Sequence, residues 1–198
     1  MQNYRSDREF TDLVHNRIAI PKIYEPLGWK PAFRDPLDAE HADMHFGIDY
    51  VFEADNGQKS VQERFRERKY ERYADFTIRY RRDGNQHSSR RQSEYYKIKA
   101  DYFVYGITNC SKDNLDGCTD FLKYAVIDMT RIYKKLDDGE ILIEDNNQNV
   151  CEIRESKLIC PVKYNNDKSS SFFPIDIPLV VELWGNDLLV SQSNFLVP

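Results

Sequence analysis

Asp49, Gln62 and Arg64 are the residues whose types and spacing best suit chemistry, because one β-hairpin would bring all three onto a polar face. The segment GIDYVFEADNGQKSVQERFR, residues 47–66, alternates with a period of two around Asn56-Gly57, a pair suited to a type I′ turn. Centred on that turn, the ladder sets Phe52 against Val61, Ile48 against Phe65, Val51 against Gln62 and Asp49 against Arg64. The apolar pairs match, as a shared buried face requires. Asp49 then has Arg64 opposite and Gln62 diagonal, within about 5–8 Å. Glu63, the carboxylate that a motif search selects first, falls on the apolar face beside Val61 and Phe65. The competing expectation is a plain Asp49–Arg64 ion pair on a solvated sheet face.

With an Asp on one strand and Gln62-x-Arg64 on the next, the hairpin resembles the catalytic core of the PD-(D/E)XK, or restriction-endonuclease-like, nuclease superfamily. There the second strand carries an acid-x-Lys step. Downstream, YADFTIRYRR and SEYYKIKADYFVYGI resemble the third strand, the packing helix and the next strand, so the similarity covers about residues 1–135. Three positions depart from the motif: Ile48 stands where the name has Pro, Gln62 replaces the acid and Arg64 the Lys.

The resemblance implies an α/β fold, a restriction-endonuclease-like mixed β-sheet core flanked by helices. It implies a metal-dependent nuclease that hydrolyses phosphodiester bonds, foremost in DNA, with Mg²⁺ or Mn²⁺ as cofactor. Asp49 would be the obligatory metal ligand, joined by the Gln62 carbonyl and a backbone carbonyl near Glu63. An acid of the first helix often faces the site in this family, a role open to Glu9 or Asp12. Arginine stays protonated, so Arg64 would stabilise phosphate charge but not act as a base. Lys97 or Lys59 would then supply the missing amine. Two other functions fit the same residues: a nucleic-acid-binding protein that has lost catalysis, and a regulatory protein docking an acidic protein partner.

Charge distribution bears on the partner. The 198-residue chain has a net charge of −5, yet residues 64–99 hold twelve Lys and Arg against five Asp and Glu, a local +7 that leaves −12 elsewhere. A basic strip on an acidic body can meet phosphate through one face. Its nucleic-acid-binding candidates are Arg66, Arg79, Arg81, Arg82, Arg90 and Arg91, interleaved with Tyr70, Tyr73 and Tyr80. The alternative is a solvated segment crossed by its own Glu–Arg pairs.

With 40% hydrophobic residues, the chain reads as one domain over 1–198, large enough to bury close to 70% of its unfolded surface. No run approaches the length of a membrane span and no leader is visible, so the expected compartment is the cytoplasm. Cys110, Cys118, Cys151 and Cys160 are too few for a disulfide framework and too widely spaced for a zinc knuckle. His41 and His45 share a helical face, but HADMH lacks the glutamate of a metalloprotease motif. His15 reads as a satisfied, partly buried residue. There is no Walker loop, dinucleotide fingerprint or G-x-S-x-G elbow.

The elements follow in order. A helix starts at Ser6 or Asp7, with Phe10, Leu13 and Val14 as its apolar face, and is interrupted at Pro21. KPAFRDPLDAEHADMHF reads as a loop before the hairpin. DFTIRY alternates as a strand, RDGNQHSSRR is a polar flap, SRRQSEYYKIKA is helical and DYFVYGI is a buried strand. DFLKYAVIDMTRIYKKL reads as one helix, the second crossover of the core, which ends at 138. Beyond it EILIED, VCEIRE, KLICPVKY and LVVELW look like strands, and NDKSSSFFPIDIP is a connection. Residues 139–198 therefore form a β-rich extension of the core or an arm for a homodimer.

Overall fold

The computed structural model describes residues 2–33, 35–82, 93–146, 148–166 and 170–196. The chain opens with α1 (Gln2–Val14), which runs without a break into a π-helical segment, His15–Tyr24. The interruption expected at Pro21 is absent. The wider i→i+5 turn moves the preceding carbonyl away from the proline ring, the clash that would end an α-helix. Phe10, Val14, Ile18 and Ile23 form the buried stripe of this long helix.

After a two-residue strand, β1 (Lys30–Pro31), the expected loop is instead a helix, α2 (Pro36–Phe46). Its ends explain it. Asp35 caps the start by accepting from the Leu37 N–H, Pro36 opens the first turn, and Gly47 closes the last turn at φ 57°. A Cβ at Gly47 would also stand 2.9 Å from Gln62 Oε1, so both backbone and space require glycine there.

The hairpin consists of β2 (Tyr50–Ala54) and β3 (Gly57–Arg66). Its register differs by two residues from that read in the sequence: Tyr50 pairs with Val61, Phe52 with Lys59 and Ala54 with Gly57. Asp55 and Asn56 occupy the turn without positive φ, and Gly57 alone takes the left-handed side, at 104°. A type I′ turn needs two such residues, and only one is present. Because the slip is two residues, every side chain keeps the face the alternation gave it.

β4 (Asp75–Arg82), the short helix α3 (Glu94–Lys97) and β5 (Tyr102–Thr108) follow. The long helix expected over residues 120–136 is split into β6 (Phe121–Asp128) and α4 (Met129–Asp137). Asp128 accepts from the Arg131 N–H and so marks the true start of the helix, while FLKYAVI is taken into the sheet. Then come β7 (Ile141–Glu144), β8 (Glu152–Arg154), β9 (Lys157–Pro161), β10 (Lys163–Tyr164) and β11 (Ser170–Asp176). LVVELW belongs to a helix, α5 (Ile177–Trp184), capped by Asp176, before β12 (Leu189–Ser193).

These strands form a large mixed sheet in the order β1-β2-β3-β5-β6-β12, with β3 and β5 parallel and the other neighbours antiparallel. β4 leaves it to pair with β11 in a second sheet, β10-β11-β4, and a third holds β7-β9-β8. The α/β class and mixed sheet expected from the sequence are present. The β-rich tail, however, does not stand apart: β11 pairs along β4, and β12 completes the main sheet beside β6.

Each face of the main sheet has its own core. The long helix covers Val61, Phe65, Val104 and Val126, and the second sheet covers Phe103, Tyr105 and Ile107 with Phe76, Ile78 and Phe173. Cys110 and Cys118 are joined in a disulfide across the β5–β6 connection, a single bridge where the sequence offered no disulfide framework. Cys151 and Cys160 are free. No described helix is long and apolar enough to cross a membrane.

Candidate functional site

The alternation of β3 separates the candidate residues into two groups. Gln62, Arg64 and Arg66 face the second sheet, and Glu63 faces the long helix. Asp49 sits just ahead of β2, where the ladder ends at Tyr50–Val61. Its carboxylate takes over there: Oδ2 accepts from the Glu63 N–H at 2.7 Å and from Gln62 Nε2 at 2.8 Å. Asp49 and Gln62 therefore meet directly, and Arg64 lies farther along the strand instead of opposite Asp49.

A second acid arrives from an unexpected element. Asp43, in the last turn of α2, lies near enough to Asp49 to act on it by charge repulsion. Burial first, then repulsion from Asp43 and Glu63, outweighs the Glu63 N–H and pushes Asp49 up to about 8. Asp49 therefore holds its proton at neutral pH. The Glu63 carbonyl lies 3.5 Å from Gln62 Nε2, so the Gln62 amide meets one carboxyl group, that of Asp49, and one main-chain oxygen. Among the described residues, no three His, Cys, Asp or Glu are grouped so as to hold a metal.

Arg64 is buried and fixed. It donates to the Thr77 carbonyl at 2.8 Å and pairs with Glu94 of α3, which also accepts the Arg79 N–H at 2.9 Å. Burial, reinforced by Arg66 and Arg79, draws the Arg64 guanidinium down to about 9, leaving it charged at pH 7. Arg66 reaches Thr77 Oγ1 at 3.3 Å and lies over the Tyr70 ring at 5.4 Å. These side chains, with Gln62 and Arg79, line a cleft of about 680 Å³ between β3, β4 and β11, rimmed by α1 and β10.

The remaining candidates lie elsewhere. Lys97 Nζ donates to the Asp43 and Met44 carbonyls at 3.3 and 3.0 Å, closing the end of α2 instead of offering an amine to Asp49. Lys59 stands over Tyr102, opposite Phe52. Glu9 is exposed on α1, and Asp12 pairs with Arg8 at 3.2 Å. Arg81 stacks on Tyr80, its guanidinium 4.6 Å from the ring centre. The side chain of Arg82, all of Arg90 and Arg91, and the expected flap from 83 onward lie outside the described residues. His41 and His45 share an exposed face of α2 with ring centres 4.5 Å apart.

On the other side of β3, Glu63 is part of a sealed network. Its Oε1 accepts from Tyr24 OH and lies 2.9 Å from His15 Nδ1, and the His15 ring stacks on Tyr50 at 3.6 Å. Burial, then Glu63, pushes the Tyr24 phenol well up. Glu63 Oε2 is buried with no hydrogen-bond partner in the structure.

Asp43 and Glu94 are the site residues that sequence reasoning missed. A signal for the first existed in Asp35-Pro36 and Gly47, the two ends of a helix that places Asp43 one turn before the site. Glu94 carried no such signal, because its partner Arg64 is thirty positions away. No family model, no curated protein and no solved structure matches the chain.

Proposed function

We propose that this protein is a metal-dependent nuclease of the restriction-endonuclease-like kind, acting on phosphodiester bonds of nucleic acid, DNA foremost. The observation that carries the reading is the hydrogen bond from Gln62 to Asp49, because Gln62 also lines a cleft that holds Arg64, Arg66 and Arg79. An Asp at the head of one strand and a Gln-x-Arg step on the next share a face, as in the hairpin the sequence resembles.

The oxygen donors suit a hard cation. Mg²⁺ needs one or two carboxylates and retains several waters, so a pair of acids with an amide and a main-chain carbonyl is enough. Asp43 and Asp49 would hold it once the Asp49 proton leaves, with Gln62 Oε1 after an amide flip and the Glu63 carbonyl. The ion would polarise a phosphate and lower the pKa of a water. Arg64, held by Thr77 and Glu94, supplies fixed positive charge to the phosphate and cannot remove a proton.

A second reading, binding without cleavage, is favoured by Lys97, whose amine is taken by the α2 carbonyls. The deciding experiment incubates the protein with duplex DNA, single-stranded DNA and RNA in Mg²⁺ or Mn²⁺. Cleavage lost in Asp49→Asn and in Asp43→Asn, with folding intact, is the expected result. No cleavage of any substrate by the native protein would leave the binding reading.

A further inference from the structure

We propose that Cys151 and Cys160 form a reversible thiol redox site, oxidised to a disulfide by exchange with a small disulfide of the glutathione class. The site belongs to the third sheet and does not depend on the nuclease reading.

The register places the two cysteines face to face. In the β8–β9 hairpin Arg154 pairs with Lys157, Ile153 with Leu158 and Glu152 with Ile159, so the next step sets Cys151 opposite Cys160. The turn leaves that register no slack: Glu155 and Ser156 both take the left-handed side, at φ 50° and 60°, as a two-residue type I′ turn requires.

Main-chain bonding fixes the kind of pair. The Leu158 and Val162 N–H groups donate to the Glu140 and Glu144 carbonyls along β7, and by the period of two Cys160 turns its own main chain the same way. Toward β8 it therefore occupies a non-hydrogen-bonded position, where facing Cα atoms stand about 4.5 Å apart and side chains are closest. That spacing falls within the span of about 4.4–6.8 Å that a disulfide bridges. Cys110 and Cys118, already joined, stand 4.9 Å apart. A metal would need further ligands, and among the described residues no group of three His, Cys, Asp or Glu could hold one. Two thiols suffice for a disulfide.

The surroundings set the order of reaction. Cys160 is wholly buried in the core, whereas Cys151 is partly exposed and donates its S–H to the Pro174 carbonyl at 3.3 Å. The Cys151 thiol beside it, then burial, pushes the Cys160 thiol well up, which makes Cys160 the slower to react. Cys151, its proton lost to water, attacks one sulfur of oxidised glutathione, forming a mixed disulfide and releasing a glutathione thiolate. Cys160 then attacks the Cys151 sulfur. The protein S–S bond forms, and the second thiolate departs with the Cys160 proton. Two electrons pass from the cysteine pair to the small disulfide, which leaves as two thiols.

The test incubates the folded protein with mixtures of oxidised and reduced glutathione, quenches with acid, blocks free thiols with N-ethylmaleimide and maps peptides by mass spectrometry. Tryptic cleavage after Arg154 and Lys157 separates the two cysteines, so a peptide pair joined through them reports the bond. The joined pair is expected in oxidising mixtures and is expected to disappear on return to reduced glutathione. In Cys160→Ala, glutathione should stay on Cys151 at least about tenfold more than in the native protein, because no second thiol displaces it. In Cys151→Ala, Cys160 should stay unmodified. The native protein alone can refute the proposal, whatever the variants do. Glutathione adducts without the joined peptides, a joined pair that forms only in urea, or no reaction at either cysteine would each overturn it. Glutathione on Cys160 as readily as on Cys151 would do the same.

Discussion

The two faces of β3 carry different residue types to opposite ends. Toward the long helix, Val61, Glu63 and Phe65 are sealed under Phe10, Val14 and Tyr24, and the one acid is bound by His15 and Tyr24. Toward the second sheet, Gln62, Arg64 and Arg66 border an open cleft, and the nearby acids are crowded by like charge. A motif search chooses Glu63 because it is a carboxylate in the right stretch. The alternation assigns it to the interior, and Gln62, its neutral neighbour, meets Asp49. One face holds the fold together while the other lines the cleft with charged side chains.

The comparison predicts stability loss on one face and functional loss on the other. The largest effect is expected from Glu63→Ala, which strands His15 Nδ1 and the Tyr24 hydroxyl inside the core. Breaking a buried charged network costs about 3–5 kcal/mol, readable in urea unfolding. Gln62→Ala, one residue away, should cost about 1 kcal/mol, the value of an ordinary hydrogen bond. Equal losses would mean that the two faces do not differ as described.

An intermediate effect is expected at the disulfide, whose cysteines belong to the helix-side core. Closing so short a loop restricts the unfolded chain by about 2–3 kcal/mol, so Cys110→Ser with Cys118→Ser should lower stability by that amount. Affinity for nucleic acid should change little. A large change in affinity would link the helix-side face to the cleft.

The smallest effect has the opposite sign. Asp75 lies directly across from Asp176, and burial with that repulsion raises its pKa to about 6 despite Arg66. A carboxyl raised on folding contributes its full stability below the unfolded value of 3.8, and that contribution is lost as pH rises through about 6. Asp75→Asn should therefore match the native protein near pH 4 and exceed it by about 1–2 kcal/mol at pH 8. Thermal melts across that interval would detect the crossover, and a variant less stable at pH 8 would show that Asp75 is paired favourably.

Much of the hairpin was legible because its signal is parity. A two-residue slip, caused by one left-handed residue at Gly57 instead of two, leaves Asp49, Gln62 and Arg64 on the face first read for them. Turn type was not legible, since Asn56-Gly57 suits more than one geometry. The stretch Phe121–Leu136 failed because Phe121, Leu122 and Ala125 fit a helical stripe as well as a strand, and only Asp128 separates the two. LVVELW failed in reverse, its apolar run, interrupted only at Glu182, hiding a helix that Asp176 and Pro178 open. Asp43 was within reach through the caps of α2, whereas the Arg64–Glu94 pair depends on tertiary contact that no local pattern encodes.

The two-residue strand at the rim of the main sheet has a consequence for life at high concentration. An open sheet border is a template for adding a neighbour's chain, the first step toward aggregates. Here Pro31 has no N–H to offer and Lys30 brings charge to the same short segment. Growth of the sheet from molecule to molecule is blocked at that border by two residues.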